Sequence, residues 1–117
     1  MKIVQLDPDN WQEGRGYRKN RLLSAEALRQ PGTLLQIVAI PAGAHVPPHS
    51  HRTSVEVYVF RCGVCELTVN GERHEMRPGD VMLMKPGDVH ELFNRGEEAF
   101  ELWVFKTNAT DGDVVWD

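Results

Sequence analysis

Residues 43–63 read GAHVPPHSHRTSVEVYVFRCG, and this stretch decides the fold class. From Val55 to Arg61, β-branched and aromatic residues alternate with the two-residue period of a strand. Glu56, Tyr58 and Phe60 fall on one face and Val55, Val57 and Val59 on the other. A carboxylate in phase with two aromatics points inward, where it is costly unless a cation or a metal lies beside it. Upstream, His49 and His51 stand at i and i+2 on an extended Pro-rich segment, so both imidazoles project from one face. A hairpin return over Arg52, Thr53 and Ser54 would bring Glu56 opposite them. Two imidazoles and a carboxylate suit a borderline first-row divalent ion (Fe, Mn, Ni, Co or Zn) and leave positions open for water or substrate.

Working outward, short β-type runs are separated by Gly, Pro, Asn and Asp. They are Tyr17–Leu23, Thr33–Ile40, His49–His51, Val55–Arg61, Cys65–Val69, Glu72–Met76, Val81–Met84, Glu91–Asn94 and Phe100–Lys106. One brief helical segment is expected around Ser24–Gln30. The spacing predicts an all-β barrel or sandwich. Asn70-Gly71 supplies the two positive-φ residues of a tight type I′ hairpin, and the Pro-Gly-Asp runs at 78–80 and 86–88 bracket Val81–Met84 as turns. The organisation expected is one domain: an N-terminal arm with edge strands over 1–32, a barrel over 33–107 and a C-terminal tail over 108–117.

The chain has 117 residues, fewer than the ~150 of a typical domain, so one core must serve the whole of it. With 41% hydrophobic and 26% charged residues it lies in the globular range, not the disordered or fibrous one. Thirteen Lys and Arg against 17 Asp and Glu give net −4, the wrong sign for tracking nucleic-acid phosphates. No apolar run approaches the ~20 residues of a membrane helix, and the start of the sequence lacks an apolar signal region. Cys62 and Cys65 cannot form a disulfide framework, and a cytoplasmic location is the expectation.

The spacing is also that of a known family. Gly43, five residues, His49, one residue, His51, four residues, Glu56, six residues and Gly63 resemble the first motif of the cupins. Gly79, with Gly87 eight positions later, then two residues, His90, three residues and Asn94, resembles the second. One departure is local: the family's proline two places before the second glycine is Lys85 here, and the proline stands at Pro86. The resemblance implies an antiparallel jelly-roll (cupin) β-barrel, a double-stranded β-helix with a metal in its mouth. By the same resemblance the metal ligands would be His49, His51, Glu56 and His90, with Asn94 in a structural role at its strand end.

Other residues carry weaker signals. His45 reads as a solvated loop histidine or a pocket residue, and His74 as surface. Cys62-Gly63-Val64-Cys65 has no second pair to close a zinc site and no helix N-terminus to activate a thiol, so two small, mostly buried thiols are expected. Met76, Met82 and Met84 read as core. Tyr58 is the candidate catalytic residue, a proton donor or hydrogen-bond partner to a substrate oxygen, against a plain core aromatic. The function expected is a metal-dependent enzyme (isomerase, epimerase, decarboxylase or dioxygenase) on a small oxygen-rich metabolite. A non-catalytic binding module for a sugar-like ligand is the alternative. Strands apolar on both faces predict a homodimer.

Overall fold

The structure, a computed structural model, describes residues 1–117. Its elements are β1 (Gln12–Glu13), β2 (Arg18–Leu23), α1 (Ala25–Leu28), β3 (Leu34–Ile40), β4 (His45–His51), β5 (Val55–Cys62), β6 (Cys65–Val69), β7 (Glu72–Met76), β8 (Val81–Met84), β9 (His90–Phe93), β10 (Phe100–Thr107) and β11 (Val114–Trp116). They form two antiparallel sheets, one ordered β1-β2-β3-β10-β5-β8 and the other β11-β4-β9-β6-β7. The all-β jelly-roll expected from the sequence is the fold observed. Between the sheets Ile40, Phe60, Leu67, Phe100, Leu102 and Val104 are almost wholly removed from water and form the closed part of the barrel. The clustered histidines lie on β4 and β9, where His49 and His51 share a cavity with Ile40, Leu102 and Val104 of this core.

The turn chemistry follows the residues that specify it. Asn70 and Gly71 take φ of 50° and 82°, as a type I′ hairpin between β6 and β7 requires. In both Pro-Gly-Asp turns the aspartate closes the loop: Asp80 Oδ2 accepts from Arg77 N–H at 2.9 Å, and Asp88 Oδ2 from Lys85 N–H at 2.8 Å. Gly63 combines a φ of +82° with a backbone approach in which a Cβ would stand 3.1 Å from Phe100 Cα, so a side chain is excluded twice over. Asn94 has the structural role expected of it. Its Nδ2 donates to the Ile40 and Glu98 carbonyls at 2.8 Å, and its Oδ1 accepts from Gly96 N–H.

Three expectations need correction. β4 begins at His45, not His49, because Pro47 and Pro48 lie where the β4–β9 register shifts, a position that does not need their missing N–H groups. Arg52–Ser54 does not close a hairpin ladder: β4 and β5 belong to different sheets, and Glu56 faces the histidines across the barrel. Within the C-terminal tail, β11 pairs with β4 through Val114↔His51, Val115↔Ser50 and Trp116↔His49. Cys65 is buried as expected, but Cys62 is exposed, at the end of β5.

Candidate metal centre

The β4–β9 ladder sets His49 directly opposite His90, and His51 follows two residues on with its side chain on the same face. Ligand-capable atoms of these three buried histidines all lie within 4.8 Å of one another. Two of the rings are oriented by backbone. His49 Nδ1 is 2.9 Å from the Pro47 carbonyl and His90 Nδ1 is 2.9 Å from the Asp88 carbonyl. A carbonyl only accepts, so each Nδ1 carries the proton and each Nε2 presents a lone pair. His90 Nε2 is fully buried and has no hydrogen-bond partner. A buried acceptor without a donor, beside two further imidazoles, fits a divalent ion of the borderline class.

Glu56 meets this cluster through His51: its Oε1 touches His51 Nε2 without a well-angled hydrogen bond. Lys106 Nζ lies 4.0 Å from the same oxygen. The three-histidine group does not itself take in Glu56. On the far side of His51, Asp113 Oδ2 stands 3.2 Å from Nδ1, without hydrogen-bond geometry.

The electrostatics keep the donors in their ligating forms. Burial, with the neighbouring His90, takes His49 down to about 4, against the opposing pull of the Pro47 carbonyl. Burial likewise lowers His90. For Glu56 burial pushes upward, but the His51 contact and the Lys106 charge outweigh it and hold the carboxyl well below its usual range. Tyr58 is raised well above its ordinary value, first by burial and then by the Glu56 carboxylate, so the phenol stays protonated.

His49, His51, Glu56, Tyr58, Lys106 and Trp116 line a cavity of about 120 Å³ between the sheets. Trp116 packs on His49 with ring centroids 4.8 Å apart and is covered in turn by the Arg15 guanidinium at 4.5 Å. Tyr58 and Phe60 point inward as the strand period requires. His45 is neither a free loop residue nor a pocket residue: it stacks on Phe93 at 4.3 Å and pairs with Glu91 at 2.5 Å. His74 lies on β7, partly exposed and 3.9 Å from Glu72. Met76 and Met84 are core and Met82 packs against it. Burial raises both thiols, Cys65 to about 12, the opposite of an activated redox pair.

Asp113, Lys106, Gln36 and Trp116 are site residues that sequence reasoning missed. Lys106 had a usable signal, because it continues the inward phase of Leu102 and Val104. Asp113 had none, since its partners at 53 and 54 are about sixty positions away.

A two-sheet antiparallel jelly-roll with a three-histidine cluster between its sheets defines the class, a small β-barrel with a candidate metal centre. The chain belongs to the cupin family: the family model described as Cupin domain matches residues 36–105. An uncharacterized protein of Methanocaldococcus jannaschii is 32% identical over 57 residues, 49% of this chain and 46% of that protein, so the match spans about half of the curated relative. Among solved structures, a predicted oxalate decarboxylase from Thermotoga maritima superposes with a TM-score of 0.82 at 22% identity, covering 92% of this chain and 99% of that one. A Cupin 2 conserved barrel domain protein from Salinispora arenicola gives 0.80 at 26% identity, covering 93% and 90%. A sugar phosphate isomerase of the cupin superfamily from Silicibacter pomeroyi gives 0.74 at 22%, covering 97% and 81%. No helix is long and apolar enough to cross a membrane.

Proposed function

We propose that this cupin is a metal-dependent enzyme that holds one divalent transition metal through His49, His51, Glu56 and His90 and turns over a small oxygen-rich metabolite. The observation that carries it is the convergence of three buried imidazoles, one with a wholly unpartnered Nε2, beside a cavity. A bound ion of this class supplies Lewis acidity and, where redox-active, access to dioxygen chemistry. Isomerase, epimerase, decarboxylase and dioxygenase reactions are therefore all open to it. The superposable folds include a predicted oxalate decarboxylase and a sugar phosphate isomerase, so the fold does not choose among them.

The chain's own residues do the rest. Trp116 and Val114 of β11 line the cavity, and Tyr58 holds a proton at its hydroxyl beside Glu56. A phenol held in this form donates to a substrate oxygen and does not act as a base. Tyr58→Phe is expected to lower turnover roughly 10²-fold or more with metal content unchanged, as for loss of a general acid. The check is a metabolite screen with the Fe(II), Mn(II), Ni(II) and Zn(II) forms. Saturable binding with no consumption of any ligand would replace the enzyme by a binding module.

The assembly proposed is a homodimer. In the β5–β8 ladder Val57 faces Leu83 and Val59 faces Val81 on the outer side of the first sheet. Val81 and Leu83 are 63% and 56% exposed on an edge strand, where an apolar surface invites pairing. A second copy covers both the face and the edge. Light scattering is expected to give twice the 13.3 kDa chain mass for the native protein and the single mass for Leu83→Glu. A native protein at the single mass at micromolar concentration refutes the dimer.

A further inference from the structure

We infer that the cavity beside the histidine cluster contains an anion subsite formed by Lys19, Lys106 and the Gln36 carboxamide, and that its ligand is a small hydroxy-carboxylic acid. The inference names the substrate class for the metal site proposed above and rests on that reading.

The three residues sit on adjacent strands of the first sheet. Lys19 is paired with Val38, two residues from Gln36; Gln36 is paired with Val104, two residues from Lys106. Each step is therefore a diagonal cross-strand neighbour on one face, close enough for long side chains to serve a common ligand. On the same face Val38, Ile40, Leu102 and Val104 are apolar and line the cavity with the three polar residues, while Arg21, paired with Gln36, is exposed and lines the adjoining pocket instead. Packing does not ask for two ammonium groups and an amide there.

One explanation without a ligand is that the lysines neutralise Glu56. It accounts for at most one of them. Lys106 lies 4.0 Å from Glu56, the outer limit of an ion pair, and Lys19 is in none of the chain's ion pairs. Glu56 is also the sole carboxylate lining the cavity, against two lysines, so the lining is net positive even before a divalent ion is added. The ammonium of Lys19 is disfavoured by burial and by the charges of Lys106 and Arg21, which an anion between the lysines would relieve. Gln36 is 4% exposed, and its Oε1 is buried without a donor. That oxygen can accept from a hydroxyl and cannot serve a carboxylate, whereas the two ammonium groups suit a carboxylate, so a ligand offering both groups matches the whole set.

Size narrows the class further. A water needs ~10–15 Å³ of such space, so about 120 Å³ holds on the order of ten heavy atoms, well short of a drug-sized ligand.

The test is calorimetric titration of the full chain, metal-free and Mn(II)-loaded, with lactate, its neutral isostere lactamide and the deoxy analogue propionate. Lactate is expected to bind at least about tenfold more tightly than lactamide in both forms, as a charge-assisted contact requires. Lys106→Met and Lys19→Met should each remove most of that preference, while Lys106→Arg retains it and metal content stays constant. Gln36→Met should abolish the preference for lactate over propionate in the metal-free form. Lactate binding no better than lactamide, or not binding at all, overturns the subsite. Preference for lactate in a protein that takes up no metal upholds the subsite and rejects the metal reading instead, so the two failures are distinguishable.

Discussion

Replacing His49 and His51 together by alanine is expected to take metal occupancy from about one ion per chain to near zero. The pair contributes two of the proposed four donors, and the remaining His90 and Glu56 come from opposite sheets. Two ligands that far apart in the topology do not define the closed side of a coordination sphere. The substitution also removes the His51 contact of Glu56, leaving the buried carboxylate with Lys106 at 4.0 Å as its one cationic neighbour outside the cluster. Circular dichroism must therefore accompany elemental analysis, so that lost metal is scored on folded protein. A folded double variant with undiminished metal would refute the site.

Acid provides a second handle on the same ligands, and the window is lower than an unperturbed histidine would give. The lone pairs must be free for ligation, and His49 is held neutral down to about 4. Its protonation therefore competes with metal only as the pH falls toward 4, not at 6 to 7. Stability moves earlier. Between 6.5 and about 4 the unfolded chain binds a proton at His49 that the folded chain refuses, so folding stability declines as the pH drops through that range. A fall from 6.5 to about 4 corresponds to about 3 kcal/mol at most for the metal-free protein. Bound metal does not offset this loss, because His49 refuses the proton in the metal-loaded and metal-free folded chain alike; on this group's account the two melting curves should fall in parallel and converge only as the pH nears about 4.

The ladder strands were legible because alternation and turn chemistry agreed, as in Val55–Arg61 and in Val69-Asn70-Gly71-Glu72. The clustering of His49, His51 and His90 was legible through the family spacing, which the β4–β9 register realises by setting His49 opposite His90. What failed was anything that depends on which sheet receives a strand. Three residues, Arg52–Ser54, look like a hairpin loop, yet here they carry the chain from one sheet to the other. The segment before His49 looked like a loop because Pro47 and Pro48 interrupt it, but a register shift lets both prolines stay in the strand. At three residues, β11 is too short for alternation to register. Its consequences for the site, Trp116 over His49 and Asp113 behind His51, were correspondingly invisible.

Asp113→Ala is expected to be the most destabilising single change outside the histidine cluster, because one carboxylate closes the connection between the two sheets. Its Oδ1 accepts from Thr53 N–H at 2.7 Å and Thr53 Oγ1 at 2.8 Å, and its Oδ2 accepts from Ser54 Oγ at 2.5 Å. The backbone repeats the tie, with Arg52 N–H donating to the Asp113 carbonyl at 3.0 Å. Burial opposes the carboxylate, but the bonds from Ser54 and Thr53 prevail and keep it ionised far below its usual range. Alanine strands the buried Ser54 hydroxyl and the Thr53 N–H, at about 3–5 kcal/mol for loss of a buried hydrogen-bonded charge. In a domain of this size that is a fall in Tm of roughly 10 °C or more. The same carboxylate lies against His51 Nδ1, so metal affinity should also fall by about 10–100-fold. Asp113→Asn separates the two effects: its amide oxygen can still accept from Thr53, whereas its NH₂ cannot accept from Ser54 or from His51. Asparagine should therefore recover part of the melting temperature and little of the metal affinity. Equal recovery of both would mean that Asp113 acts on His51 only by holding the Thr53–Ser54 turn.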